Sequence, residues 1–160
     1  MSKLANSLEE LLSTFKKLRN PDTGCTLDRE QDFKSIASCA IEEAYEVADA
    51  IEREDFEGLK AELGDLLFQI VFHAEMAKEQ NLFSLSEVVD ELNSKLIRRH
   101  PHVFADSSAD TAEGSLEIWE EVKARERKDK NLNSILDDVP SNLPSLKKKK
   151  KLQKRAKRVG

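Results

Sequence analysis

The fold is decided between Phe33 and Gln80, where the chain reads FKSIASCAIEEAYEVADAIEREDFEGLKAELGDLLFQIVFHAEMAKEQ. Two apolar stripes at helical spacing run through this stretch. Phe33, Ile36, Ala37, Ala40, Ile41, Ala44, Val47, Ala48 and Ile51 trace the first, and Leu59, Leu63, Leu66, Leu67, Ile70, Val71 and Ala74 trace the second. A break falls around Glu54, Asp55 caps the second helix, and the second stripe ends at about Gln80. The reading is two long consecutive helices, each with one face to bury.

Upstream, Ser7 and Glu10 form a capping box for a helix carrying Leu8, Leu11, Leu12, Phe15 and Leu18, which stops at Asn20-Pro21. The segment from Asn20 to Asp28, with Pro21 and Gly24, reads as a loop. Downstream, Ser84 and Glu87 form a second capping box for a helix with Val88, Val89, Leu92 and Leu96 as core residues, and Pro101 bars its continuation. A fifth helix is expected around Leu116 to Lys130, with Trp119 and Val122 as its core anchors; beyond Asn131 the text is loop-like, with Pro140 and Pro144.

The 160 residues suffice for one good core, so the expected organisation is one domain over residues 1–130, followed by a loop and basic extension over residues 131–160. Five glycines, four prolines and an aromatic content of 6% favour an all-α class over turn-rich β architectures. No apolar run approaches a membrane span, and residues 1–20 alternate charge with leucine instead of building a signal sequence, so a cytoplasmic location is expected. Cys25 and Cys39 make no CxxC pair and read as reduced thiols.

The net charge of -5 conceals an asymmetry. Lys147 to Arg158 holds nine basic residues and no acid, leaving 17 basic against 31 acidic residues, a net of -14, over residues 1–146. An acidic body suits cations better than nucleic acid. The tail reads as a solvated, partly helical or disordered extension, with nucleic-acid contact as the alternative.

Stepping about 100° per residue along the two long helices, Glu43 falls at the edge of the first apolar arc with Glu46 beside it. On the second helix, Glu62, Asp65, Gln69 and His73 share one stripe bordered by Leu66 and Phe72. Each helix thus offers an i, i+3 pair of acids on one face, and two adjacent antiparallel helices can aim four carboxylates at one point. Carboxylates bracketed by apolar residues are disfavoured as anions unless something compensates, and a divalent cation is the economical compensation. All-oxygen ligation suits Mg²⁺, or Mn²⁺. His73 beside this stripe reads as a satisfied helix histidine more than as a ligand. Lys95, Arg98, Arg99 and His100, ahead of Pro101 and His102, complement a helix C-terminus and also suggest anion binding.

Glu42-Glu43-Ala44-Tyr45-Glu46 and Glu62-Leu63-Gly64-Asp65 resemble the EExxE and ExxD signature of the MazG family of nucleoside triphosphate pyrophosphohydrolases. Arg19-Asn20-Pro21 with Gly24-Cys25, the run Arg98 to Phe104, Trp119-Glu120 with Lys123, and Lys151 to Ala156 resemble the same family, so the likeness extends along the chain. Where the family usually reads Gly-Cys-Pro-Trp-Asp, this chain has Gly24-Cys25-Thr26-Leu27-Asp28. The resemblance implies an all-α NTP pyrophosphatase fold with a four-helix-bundle core, a homodimer or larger assembly, Mg²⁺ dependence, and hydrolysis of an NTP to an NMP and pyrophosphate. It implies Glu43, Glu46, Glu62 and Asp65 as metal ligands and Glu42 as a supporting group or base. Lys95, Arg98 and Arg99 are then the nominated phosphate contacts, with Trp119 as a nucleotide contact in the minority reading. A dUTP or phosphoribosyl-ATP pyrophosphohydrolase of the same fold is a close variant. A non-catalytic metal-binding helical module, using its basic tail for RNA or a protein partner, is the distant rival.

Overall fold

The computed structural model describes residues 2–105, 107–129 and 139–156. Among them every regular element is helical: α1 (Lys3–Leu18), α2 (Thr26–Glu30), α3 (Cys39–Glu52), α4 (Phe56–Glu79), α5 (Leu85–Arg99), α6 (Pro101–Phe104), α7 (Ala112–Asp129) and α8 (Ser145–Ala156). The chain forms two compact units, residues 1–91 and 92–160, with the boundary inside α5.

In the first unit, α3 and α4 pack along each other and α1 lies against α4. The turn that folds the α3–α4 hairpin is written in the backbone. Glu54 adopts a positive φ of 55°, the Glu54 N–H donates to the Ile51 carbonyl (3.1 Å), and the Asp55 N–H donates to Ala50 (3.0 Å). That pair of bonds satisfies the last carbonyls of α3. Asp55 then caps α4, its carboxylate accepting from the Gly58 N–H at 2.9 Å. The same device ends α4, with Asn81 at φ 55° and the Leu82 N–H donating to Ala77.

The core joins Phe15 of α1 to Ile36 and to Val71, Phe72 and Met76 of α4, with Leu11, Leu12, Phe33, Cys39 and Leu85 around them. Phe15, Phe68 and Phe72 form a triangle of rings whose centroids lie 5.1–5.9 Å apart. Arg19 closes this end: its guanidinium forms two 2.7 Å bonds to the Glu79 carboxylate, donates to the Asp28 and Gln31 carbonyls, and lies over the Phe72 ring. The 20–28 segment is thereby tied to the end of α4. Within it, Asn20 Oδ1 accepts from the N–H groups of Asp22 and Thr23, and a Cβ at Gly24 would lie 2.3 Å from the Leu18 carbonyl oxygen, so only glycine fits there.

The all-α class stands, the Ser84–Glu87 capping box forms as expected, and both cysteines are free thiols. Several local expectations are corrected. The first helix starts at Lys3, capped by Ser2, while Ser7 sits inside it and donates back to the Lys3 carbonyl; a mid-helix serine can do this without ending a helix. The 20–28 loop gives way at Thr26 to a short helix. The third helix begins at Cys39 instead of Phe33, because the Asp32 carboxylate captures the Lys34 and Ser35 N–H groups (2.8 and 2.7 Å) and holds 33–38 in turns. Trp119 is half-buried, not core. Residues 131–138 of the expected loop lie outside the described residues, and after Pro144 the chain forms α8.

The largest correction concerns burial. Ile41, Ile51, Leu63, Leu67 and Ile70, all expected in the core, are 42–56% exposed, as are Val89, Leu92 and Leu96 at 46–51%. The buried cluster joins α1, Ile36 and the second half of α4, and these outer positions lie outside it. No helix among the described residues is long and apolar enough to cross a membrane.

Candidate metal centre

Helical periodicity and the tight 53–55 turn place one turn of α3 opposite one turn of α4. Glu43, Glu62 and Asp65 converge there, each offering a carboxylate oxygen within 4.8 Å of the others. Glu43 and Glu62 are half-buried and Asp65 is exposed. Glu46 is not one of these three, but it lies near enough to raise the carboxyls of both Glu43 and Glu62. The four acids nominated from the sequence therefore share one locality.

Its electrostatics follow from this crowding. Desolvation first, then repulsion from Glu46, Asp65 and Glu62, raises the Glu43 carboxyl above its ordinary range. Glu62 is raised for the same reasons, by desolvation and then by Glu46 and Asp65, against a small opposing field from Arg53. Arg53 itself is engaged by Asp49 at 2.8 Å and Asp55 at 3.6 Å. A divalent ion held here would offset this repulsion, and an all-carboxylate donor set has the chemistry that suits Mg²⁺ or Mn²⁺. Glu42 is exposed on the same helix. His73 lies two turns beyond Asp65; its Nδ1 is 2.7 Å from the Gln69 carbonyl oxygen, as expected of a satisfied helix histidine.

The second unit carries the nominated cations. Arg98 Nε donates to Glu126 Oε1 at 2.7 Å, and Arg99 grips Oε2 of the same carboxylate through Nε and Nη2 at 3.1 and 2.7 Å. The Arg99 hydrogen bond is the main reason the Glu126 carboxyl lies below its ordinary range, with Arg98 adding to it against desolvation. Arg99 also approaches the Trp119 ring, and Lys123 Nζ stands 4.0 Å from its centroid. Lys95 is half-buried on α5. The partner role of Glu126 was not foreseen, since it is 27 residues from Arg99 and nothing local announces the pair.

Known proteins share both this fold and this stretch of sequence. Residues 31–104 match the MazG nucleotide pyrophosphohydrolase domain. A nucleoside triphosphate pyrophosphohydrolase of Escherichia coli is 50% identical over 155 residues, 97% of this chain and 59% of its own length. A nucleoside triphosphate pyrophosphohydrolase/pyrophosphatase MazG of Thermotoga maritima is 43% identical over 152 residues, 95% of this chain and 57% of its own length. The chain thus spans somewhat over half the length of these relatives. The crystal structure of a mazG-related protein from Thermotoga maritima shares the fold, with a TM-score of 0.59 at 24% identity over 74% of this chain and 98% of that one. On these matches, carried by the same stretch that gathers the acids, the chain belongs to the MazG family.

Proposed function

We propose that this protein hydrolyses nucleoside triphosphates to a nucleoside monophosphate and pyrophosphate, with Mg²⁺, or Mn²⁺ in its place, held by Glu43, Glu46, Glu62 and Asp65. The observation that carries this reading is the convergence of like-charged carboxylates, two of them half-buried, between α3 and α4. The names of the relatives supply the substrate class. When bound, the ion would neutralise phosphate charge and lower the pKa of a bound water.

The protein's own part is positional. The α3–α4 hairpin holds the acids in place before substrate arrives, so little reorganisation is needed at the moment of reaction. Glu42, next to Glu43, is the group assigned to take the proton of the attacking water. Water adds to the α-phosphorus, the bond to the β-phosphate oxygen breaks, and pyrophosphate leaves with the electron pair. Lys95, Arg98 and Arg99 are assigned to the phosphates and Trp119 to the nucleotide; in this reading the phosphates compete with Glu126 for the two guanidinium groups. The cytoplasm, where nucleoside triphosphates are held, is the compartment assigned.

The same reading includes a homodimer. Ile41 and Tyr45 on α3 and Leu63, Leu67 and Ile70 on α4 recur at helical spacing and are exposed, and apolar side chains grouped on the outer faces of neighbouring helices are the kind of surface that a subunit contact covers. Sedimentation equilibrium should give twice the chain mass, and Leu67→Glu should shift it to the monomer. The decisive experiment for the activity is pyrophosphate release from a panel of NTPs and dNTPs, with and without Mg²⁺. No release from any of them would overturn the proposal.

A further inference from the structure

Charge in the second unit is distributed unevenly around Glu126. Arg98 and Arg99, in the last turn of α5, both donate to this one carboxylate of α7, so two positive charges share a single negative one. The Glu126 side chain is 15% exposed, against 48% for Arg98 and 22% for Arg99, so the cations are the part of the cluster that an anion from solvent reaches. Arg98 bonds through Nε alone, and its Nη1 and Nη2 have no partner among the described residues. Arg99 commits Nε and Nη2 and leaves Nη1. Open guanidinium N–H groups beside a surplus positive charge suit the oxygens of a phosphate. The Arg99 hydrogen bond, above all, holds the Glu126 carboxyl below its ordinary range, so it is ionised at neutral pH. Its negative charge then stands beside any anion that the arginines take up.

We propose that Glu126 is a positioning residue that tempers the grip of Arg98 and Arg99 on phosphate, so that pyrophosphate leaves once it has formed. The proposal rests on the hydrolase reading for the identity of the anion, and on the geometry of the Glu126 cluster for the rest. An unopposed pair of arginines would hold a phosphate product as firmly as a phosphate substrate, and binding both equally well does nothing for turnover. Product release sets the rate of many enzymes. Glu126 opposes the anion in two ways. Donors engaged by its carboxylate reach a phosphate oxygen only by exchanging one bond for another, and its charge repels the anion across a few ångströms of partly solvated surface. Both effects lower the affinity for phosphate while both arginines stay in place.

The test uses the full chain in millimolar Mg²⁺, with inorganic pyrophosphate as the probe. Isothermal titration calorimetry gives its affinity for wild type, Glu126→Gln and Glu126→Asp. The emission of Trp119, the single tryptophan of the chain, reports the locality, because Arg99 and Lys123 lie against its ring. Glu126→Gln should bind pyrophosphate about tenfold more tightly, the order of effect of one partly solvated charge. Glu126→Asp keeps the charge and should stay within about twofold of wild type. Adding Arg99→Gln to Glu126→Gln should abolish the gain. In turnover, Glu126→Gln should lower KM and make added pyrophosphate a stronger inhibitor, whereas a merely structural role would lower kcat or the folded fraction. Equal affinity in wild type and Glu126→Gln overturns the proposal. So does weaker binding, which would make Glu126 a support that holds the arginines in place, and so does binding that leaves the Trp119 emission unchanged, which would put the anion elsewhere. Release from triphosphates with a pyrophosphate affinity indifferent to Glu126 leaves the hydrolase reading standing and removes this one. Tighter pyrophosphate binding in Glu126→Gln without release from any triphosphate does the reverse.

Discussion

The acids between α3 and α4 and the charges around Glu126 make a contrast within one chain. In the first, Glu43, Glu62 and Asp65 bring like charges within 4.8 Å, partly out of water, and two of them are pushed toward their protonated forms. In the second, two guanidinium groups share one carboxylate, which is pushed toward its ionised form. The Glu126 cluster is complete as it stands. The acid cluster, in the reading proposed above, is completed by a cation, and only then could phosphates draw the two guanidinium groups away from Glu126.

The sharpest way to break this comparison is to neutralise one acid. Glu43→Gln and Asp65→Asn should each lower pyrophosphate release by at least about a hundredfold, a transition-state loss of roughly 3 kcal/mol. The metal-free fold should survive or gain, because each change removes one repelling charge at nearly constant volume. Wild-type turnover at saturating Mg²⁺ would sink the metal assignment, and a metal-free variant that unfolds would show the acids to be structural.

Next in size is the ion itself. Binding to the folded state alone at a hundred times its dissociation constant contributes about 2.7 kcal/mol, so millimolar Mg²⁺ should raise the melting temperature by several degrees in wild type and far less in Asp65→Asn. Differential scanning calorimetry reads both. A wild-type melting temperature indifferent to Mg²⁺ would make the acid cluster an ordinary solvated face.

A smaller effect is expected at Glu126, with the opposite dependence on pH. Its folded pKa lies below the unfolded value, so its contribution is fully present above the unfolded pKa and is lost as pH falls through the folded one. Glu126→Gln should cost under about 1 kcal/mol at neutral pH, since these side chains are partly solvated, and should flatten the acid limb of the stability profile. An unchanged acid limb would mean that the three charges are paired only loosely.

What the sequence showed of this contrast was uneven, for physical reasons. Glu43, Glu46, Glu62 and Asp65 were legible because i, i+3 spacing fixes a helix face and the short 53–55 turn leaves two helices little choice but to pair. The start of α3 was not, because Asp32 and Ser35 offer the backbone hydrogen bonds that compete with a helix, and apolar periodicity carries no trace of that. Ile41, Leu63 and Leu67 were read as core because periodicity marks a face to be covered without saying by what. The Glu126 pairing is a tertiary fact, and no local spacing encodes it.

The smallest effect on catalysis should come from the other like-charged run. Lys147, Lys149, Lys150 and Lys151 are exposed on α8, so water and counter-ions already screen them, and no ligand is required to make their proximity tolerable. Deleting residues 147–160 should therefore leave pyrophosphate release within about twofold, the ordinary range for changes on a solvated surface. Nine positive charges in twelve residues would still attract a phosphate backbone, with an affinity that falls steeply as salt rises. Filter binding of a single-stranded RNA at two ionic strengths should show that attraction in the full chain and lose it in the truncation. A truncated protein that folds yet releases no pyrophosphate would mean that α8 supports the catalytic arrangement, and the division between a charge cluster that needs a ligand and one that does not would have to be drawn elsewhere.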